Sequence, residues 1–528
     1  MDKALGHLLA TIAQMRREEE EAKNVEDVIK VSDTVSAAAS VYETVRNSLE
    51  YDEEHLLRRN AIRRILKRRM VEGPSGEMAA KLLRELIWAK YLPNEQVPTA
   101  MIAKVAGILE KYKLLFGILE PESAEGQRVY AWLSDVLSVE IEYVLGPPCI
   151  DEALASYAYK ELNKRIEWQT SVISEGDRDL QLYIATHRAV LKSNLATLRY
   201  RILTLYYPDW RKASPEAPVV KEIAMNLVKV IDSVEGQITH PAQDAVFRFV
   251  RRHGIVFHLL SDIAKDNPEA FAGALTSGDV ASIDTAISKA AQERYGTFRK
   301  RLKRTVVRAA IFLLLTKSIL AFLVEYPFEV FVLQATDYFP LMVNIFFPPL
   351  LLAVVGLTVR IPRTKNTEKV LEEIHGLIGS GDDFSLIFKR RRPWNKGALW
   401  WIFNGLYLAV WLVTISAIAW VLRTGLHFNV LSIFFFIFFL SLVAYFGLRI
   451  RNTRRELVVI DMSRGFFGSF SDVLFLPIVR AGRWVALRAP KVNIFLFFFD
   501  FIIEAPFKAA IGIVESWLAF LREKREEI

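Results

Sequence analysis

The sequence predicts an all-α polytopic membrane protein with four transmembrane helices, a large multi-helix cytosolic N-terminal domain and C-terminal amphipathic interfacial helices. Three observations predict this. Hydrophobic residues make up 52% and charged residues 24% of the 528, a mixture that makes sense only if apolar and charged sequence occupy different parts of the chain. Phenylalanine separates those parts: of 34, only Phe116, Phe247, Phe249, Phe257, Phe271 and Phe298 precede Phe312. The first 300 residues are punctuated by proline and glycine and show no alternating strand pattern. The composition excludes disorder and collagen. The single cysteine, Cys149, excludes an intrachain disulfide scaffold and a thiolate zinc site.

Residues 1–298 read as a helical cytosolic domain, with a division into subdomains placed near 147 or 215. From 97 to 116, Met101, Ile102, Val105, Ile108, Leu109, Tyr112, Leu115 and Phe116 recur at three and four, with Pro98 at a tolerated first-turn position. Ile184, Leu191, Leu195, Leu198, Ile202 and Leu205 predict one helix with a packing seam. Breaks are expected at Gly73 and Pro74, at Pro93 and Asn94, at Pro147 and Pro148, at Pro208, from 215 to 218, at Pro241 and at Pro268. The last helix of this part is expected to continue directly into the first span.

The most basic stretch is Arg58, Arg59, Arg63, Arg64, Lys67, Arg68 and Arg69, interleaved with Leu57, Ile62, Ile65, Leu66 and Met70. On a helix this makes a basic amphipathic face suited to anionic headgroups or an acidic partner. No aromatics are interleaved to stack bases, which disfavours nucleic acid.

Four windows reach the roughly 20 apolar residues that a bilayer core requires, at about 306–326, 341–359, 398–422 and 430–448. Arg299, Lys300, Arg301, Lys303, Arg304 and Arg308 precede the first; the 360–397 loop carries Lys389, Arg390, Arg391 and Arg392; Arg449, Arg451, Arg454 and Arg455 follow the fourth. Retention of Lys and Arg on the cytoplasmic side puts these flanks, and both termini, inside the plasma membrane. The connections at 327–340 and 423–429 then face outward. Trp400, Trp401, Trp411 and Trp420 fall toward the ends of the third span, as interfacial belts do. The domain boundaries are thus 1–298, 299–451 and 452–528. The last part has polar stripes on apolar helices near 473–487 and 494–521, which predict in-plane membrane anchors.

Chemical motifs are sparse. There is no phosphate-binding loop, dinucleotide fingerprint or zinc-protease motif. Gly379 to Asp383 reads as a flexible loop. Glu372 and His375 read as a solvated helix face, since the second Glu-x-x-His helix of a di-metal bundle is missing. His253 and His258 do not share a face. Leu323 to Phe328 and Ile502 to Phe507 each place Glu two residues before Pro, an echo expected of shared Phe-rich composition. No enzyme activity, metal or cofactor is expected.

Polar residues within the spans are the stronger lead, because a charge at a span centre costs about 3 kcal/mol on insertion scales. They are Lys317, Glu325, Asn344 and Asn404. Lys317 and Glu325 are separated by about 12 Å of α-helical rise, which predicts no direct pairing. Asn344 and Asn404 are candidate interhelical hydrogen-bonding residues. Pro348 and Pro349 predict a kink in the second span. The expected function is a multi-pass anchor or scaffold whose residues 1–298 bind protein partners or the membrane surface. The alternative is a channel or transporter component built from the intramembrane polar residues, in which a pore would require a homo-oligomer.

Overall fold

The structure is a computed structural model that describes residues 3–21, 27–32, 36, 39, 43, 56–69, 73–120, 122–169, 173–334, 338–359, 361–362, 364–379, 385–389, 397–458, 478–484, 513 and 517. The expected amphipathic segments at 473–487 and 494–521, residues 380–383, Arg390 to Arg392 and the repeat at 502–507 lie largely or wholly outside these. Contacts divide the chain into two units, one formed by 2–164, 173–247 and 492–528, the other by 165–172 and 248–491. The division falls inside a helix at 247, whereas the sequence reading placed it at 298.

The first unit is a helical assembly: α1 (Lys3–Glu21), α2 (Leu57–Arg69), α3 (Ser75–Trp88), α4 (Ala100–Phe116), α5 (Ala124–Leu145), α6 (Cys149–Arg165), α7 (Glu175–Val190), α8 (Leu195–Tyr206), α9 (Pro218–Met225) and α10 (Leu227–Ile238). The proline breaks delimit these helices. Pro74 is the N-cap of α3, Pro208 opens a 3-10 turn, and Pro218 opens α9, positions where a missing N–H costs nothing. Side-chain caps do the rest: Ser123 accepts from Gly126 N, and Ser174 from Asp177 N, each satisfying an otherwise orphaned helix donor. One large core holds Leu82, Leu86, Leu109, Tyr112, Leu133, Leu137, Ile202, Trp210 and Ile231.

Two helix expectations are corrected. Pro98 is not in the first turn of a helix; it forms an isolated bridge with Val28, and α4 starts at Ala100. The seam from Ile184 to Leu205 is two helices rather than one. Lys192 has φ +52°, and Asn194 caps α8 by accepting from Thr197 N. A capping asparagine outweighed the apolar repeat.

The second unit contains most of α11 (Gln243–Asp266), α12 (Pro268–Ser277), α13 (Val280–Leu333), α14 (Tyr338–Leu357), α15 (Thr364–Ile378), α16 (Ala398–Gly425) and α17 (Val430–Thr453). Helices α13, α14, α16 and α17 are long and apolar enough to cross a membrane. As expected, α13 runs unbroken from the charged segment at Val280 into the apolar one. It runs further than expected, passing Pro327 and ending at Leu333. Two π turns, Ala321–Glu325 and Glu329–Leu333, flank Pro327. Their wider i to i+5 spacing accommodates a ring that would clash with the carbonyl four residues back.

Helices α13, α14 and α17 share a core of Val306, Leu313, Leu352, Phe439 and Val443. Close approach is set by glycine: a Cβ at Gly356 would lie 2.4 Å from Val306 Cγ2, and one at Gly447 2.8 Å from Val355 Cγ1. Small residues of this kind let apolar helices pack backbone to backbone. Helix α16 exposes Trp401, Leu406, Val413 and Trp420. Its end packs on the start of α17 through Leu422, Phe428 and Phe436.

The unit also contains strands, which the sequence did not suggest. β1 (Ile166–Gln169) pairs in parallel with β2 (Leu386–Lys389). Trp168 packs on Phe388, and Phe249 meets the same ring edge-on. Four-residue strands more than 200 residues apart (166 against 386 at the first pair) leave no local period to read.

Candidate functional site

Lys317 and Glu325 both lie on α13 with no exposed surface, and Lys317 Nζ donates to Glu325 Oε1. The expectation that they are too far apart is therefore wrong. The π turn at Ala321–Glu325 advances the chain less per residue than α-helix does, and two long side chains span the remainder. The rings of Phe435 and Phe439 on α17 lie 5.1 and 4.9 Å from Lys317 Nζ, replacing part of its hydration by cation–π attraction.

The second carboxylate oxygen of Glu325 draws in the neighbouring helices. Asn344 of α14 donates through Nδ2 to Glu325 Oε2 and, at 3.3 Å, to the Ser432 carbonyl. The Ser432 hydroxyl of α17 donates to the same Oε2 at 3.3 Å. Asn429 caps α17 by accepting from Ser432 N at 2.7 Å, and its Nδ2 donates to Glu329 Oε1 at 2.8 Å. Glu329 is buried one turn beyond Glu325. A hydrogen-bonded chain thus joins Lys317, Glu325, Asn344, Ser432, Asn429 and Glu329 among three apolar helices.

This chain is short of donors at one point. Asn344 Oδ1 is buried and has no hydrogen-bond partner, although an orphaned acceptor in such surroundings costs about 1–3 kcal/mol. The backbone adds to the imbalance. Pro348 and Pro349 have no N–H, so the carbonyls of Asn344 and Ile345 lose their usual i+4 donors. Both prolines are buried inside α14, which continues through them from Tyr338 to Leu357. An excess of oxygen acceptors beside a carboxylate is an environment for a proton or a small cation.

The other sequence candidates are placed differently. Asn404 lies half-buried on α16, in the first two turns of that helix. The basic helix α2 does not present an open face. Arg58 pairs with Glu142 at 2.7 Å, Arg63 with Asp135 at 3.0 Å, Arg64 with Glu43 at 2.8 Å and Arg68 with Glu85 at 2.6 Å. Arg59 is buried and donates to Asn60 Oδ1. Lys67 is exposed, and the Arg69 side chain lies outside the described residues. The apolar side of the helix, with Ile62 and Ile65, enters the core. His375 bonds Asp284 at 2.6 Å and His253 bonds Glu373 at 3.0 Å, and among the described residues no group of acids and histidines could hold a metal ion.

Sequence reading missed Ser432, Asn429 and Glu329. Asn429 carried a usable signal, an N-cap residue directly before an apolar run. Glu329 sits four residues after Glu325, the spacing of one helical face, but it falls in the expected outward connection at 327–340.

The first unit contains a second buried Lys–Glu pair. Lys111 Nζ donates to Glu140 Oε1 and, at 3.0 Å, to the Trp210 carbonyl; Tyr112 and Trp210 Nε1 each donate to Glu140 Oε2 at 2.8 Å. The Trp210 ring lies 4.2 Å from the ammonium. Burial lowers the Lys111 pKa despite the opposing charge of Glu140, and pushes the Tyr112 phenol far up.

Comparison with family models, curated proteins and solved structures found no match.

Proposed function

We propose that this is a multi-pass plasma-membrane protein in which Glu325 exchanges a proton during transport, as a component of a proton-coupled transporter or channel. The supporting observation is the network of Lys317, Glu325, Asn344 and Ser432, wholly buried among apolar helices yet carrying an orphaned acceptor. Ionisable groups at such depth are retained for ion pathways and proton relays far more readily than for packing. Lys317 donates a hydrogen bond to Glu325, which joins the ammonium directly to the carboxylate. Glu329, buried one turn further along and hydrogen-bonded by Asn429, is a second carboxylate toward the Leu333 end of α13. By the distribution of Lys and Arg, that end is the outer one and both termini are cytoplasmic. The continuous α13 offers the cytosolic segment mechanical purchase on the site.

The anchor reading has weaker support from α2, since four of its arginines, Arg58, Arg63, Arg64 and Arg68, are engaged by carboxylates of the same chain. What still supports it is the size of the first unit.

The test is proton flux into proteoliposomes loaded with a pH-sensitive dye. Flux is expected with the wild-type chain, and a loss of at least tenfold with Glu325→Gln or Lys317→Met in protein that still elutes as a single species. Flux equal to that of empty vesicles, or unchanged in both variants, overturns the proposal. Orientation is checked after Cys149→Ser: single cysteines at Thr336 and Thr424 should label from outside, and one at Ser380 should not.

A further inference from the structure

The first unit has an open cleft of about 940 Å³ between α1, α6, α7, α8 and the 3-10 turn Pro208–Lys212. That volume suits a small organic ligand. Its walls carry Lys160, Arg201, Arg211, His187, Tyr159 and Tyr183, with Glu152 between the two arginines and Asp179 near Tyr159.

The charges in this wall do not balance. Arg201 is 5% exposed, and the carboxylate it meets is Glu152, at 3.6 Å. Glu152 is also the partner of Arg211, at 3.3 Å. One carboxylate therefore serves two guanidiniums. The phenols nearby do not supply negative charge: the Tyr143 ring lies 5.4 Å from the Arg201 guanidinium, and burial raises the pKa values of Tyr143 and Tyr200, keeping both neutral. Arg201 Nε is buried without a hydrogen-bond partner. A buried guanidinium with half a counter-ion and an idle N–H is costly unless an anion completes it.

A second idle group lines the same cleft. His187 is 4% exposed, and its Nδ1 has no partner. Burial and the adjacent Arg201 charge hold its pKa well below the usual value, so the ring is neutral. It offers one nitrogen to a ligand without adding charge. Tyr183 packs against it at a tilt with ring centroids 4.3 Å apart, and Tyr159 meets Tyr183 edge-on. These rings form an aromatic wall beside the arginines.

We infer that this cleft binds a phosphorylated small molecule of the nucleotide class, its phosphate held by Arg201 and Arg211 and its flat ring against Tyr183. Planar guanidiniums recognise phosphate through paired N–H donors, and tyrosine faces accept a base. The second buried Lys–Glu pair does not compete as a site, because its donors and acceptors are all matched.

The experiment is calorimetric titration of the detergent-purified full chain with ADP, pyrophosphate and adenosine. ADP is expected to bind, pyrophosphate to bind at least tenfold more weakly, and adenosine to give no heat at millimolar concentration. Arg211→Ala, at a half-exposed position that does not threaten folding, should weaken ADP binding at least tenfold, and Tyr183→Leu should weaken ADP but leave pyrophosphate unchanged. Absence of heat with both ADP and pyrophosphate, or ADP binding that Arg211→Ala leaves unchanged, overturns the inference. ADP and pyrophosphate of equal affinity overturn its aromatic part.

Discussion

Two buried Lys–Glu pairs, one in each unit, have nearly the same composition and opposite completeness. Around Lys111 and Glu140, every donor finds an acceptor: the ammonium meets the carboxylate and the Trp210 carbonyl, and Tyr112 and Trp210 close the other oxygen. Around Lys317 and Glu325 the carboxylate is likewise saturated, but Asn344 Oδ1 is left over and the chain of bonds continues to Glu329. A closed network fixes one arrangement and resists change. An open one retains an acceptor for a further hydrogen bond. Burial and pairing are common to both; completeness of hydrogen bonding is what separates them.

The largest expected effect is at the closed pair. Lys111→Met leaves Glu140 buried without its cation and should cost about 3–5 kcal/mol in unfolding measurements. Adding Glu140→Leu should recover only part, because the Tyr112 hydroxyl and Trp210 indole N–H then lose their acceptor. Lys317→Met should destabilise less, since Lys317 donates to Glu325, whereas Lys111 donates both to Glu140 and to the Trp210 carbonyl. Equal losses at the two lysines would erase the distinction.

Packing in the apolar unit is tested next. Gly356→Leu forces atoms onto Val306 and should cost about 1–3 kcal/mol, with recovery in the Gly356→Leu, Val306→Ala double variant, read by thermal unfolding in detergent.

Acidification should act through the first unit. The His187 pKa is depressed in the folded chain, so the folded state binds fewer protons than the unfolded one once pH drops below the imidazole's ordinary value. Its contribution is complete above about pH 6.5 and is lost as pH falls toward the folded value, by up to about 1.4 kcal/mol per pH unit. His187→Gln should flatten that part of the stability profile; an unchanged slope would assign acid sensitivity elsewhere.

The smallest effect on stability belongs to Asn344→Leu. Interhelical hydrogen bonds between apolar helices average about 0.6 kcal/mol, and the substitution also removes an orphaned acceptor, so unfolding should barely shift while proton flux falls. A stability loss rivalling that of Lys111→Met would make the open network structural.

Much of this was legible in the chain. Lys317, Glu325 and Asn344 stand out because a polar residue in an apolar run is visible without coordinates, and the proline breaks mark several helix ends of the first unit. Their meeting was not legible, because straight α-helical spacing kept Lys317 and Glu325 apart and the π turns around Pro327 have no local signature. The arginines of α2 were equally plain, but their partners Glu43, Glu85, Asp135 and Glu142 come from segments that only packing brings together.

The sequence by itself determined the four long apolar helices, the helical character of the rest and the continuity of α13, because these follow from residue-by-residue solubility and backbone preference over short range. The tertiary structure decided which polar groups are satisfied and which are left over, since that depends on the distance between side chains from different helices. It opened the acceptor at Asn344, closed the network at Glu140 and left Arg201 with half a counter-ion.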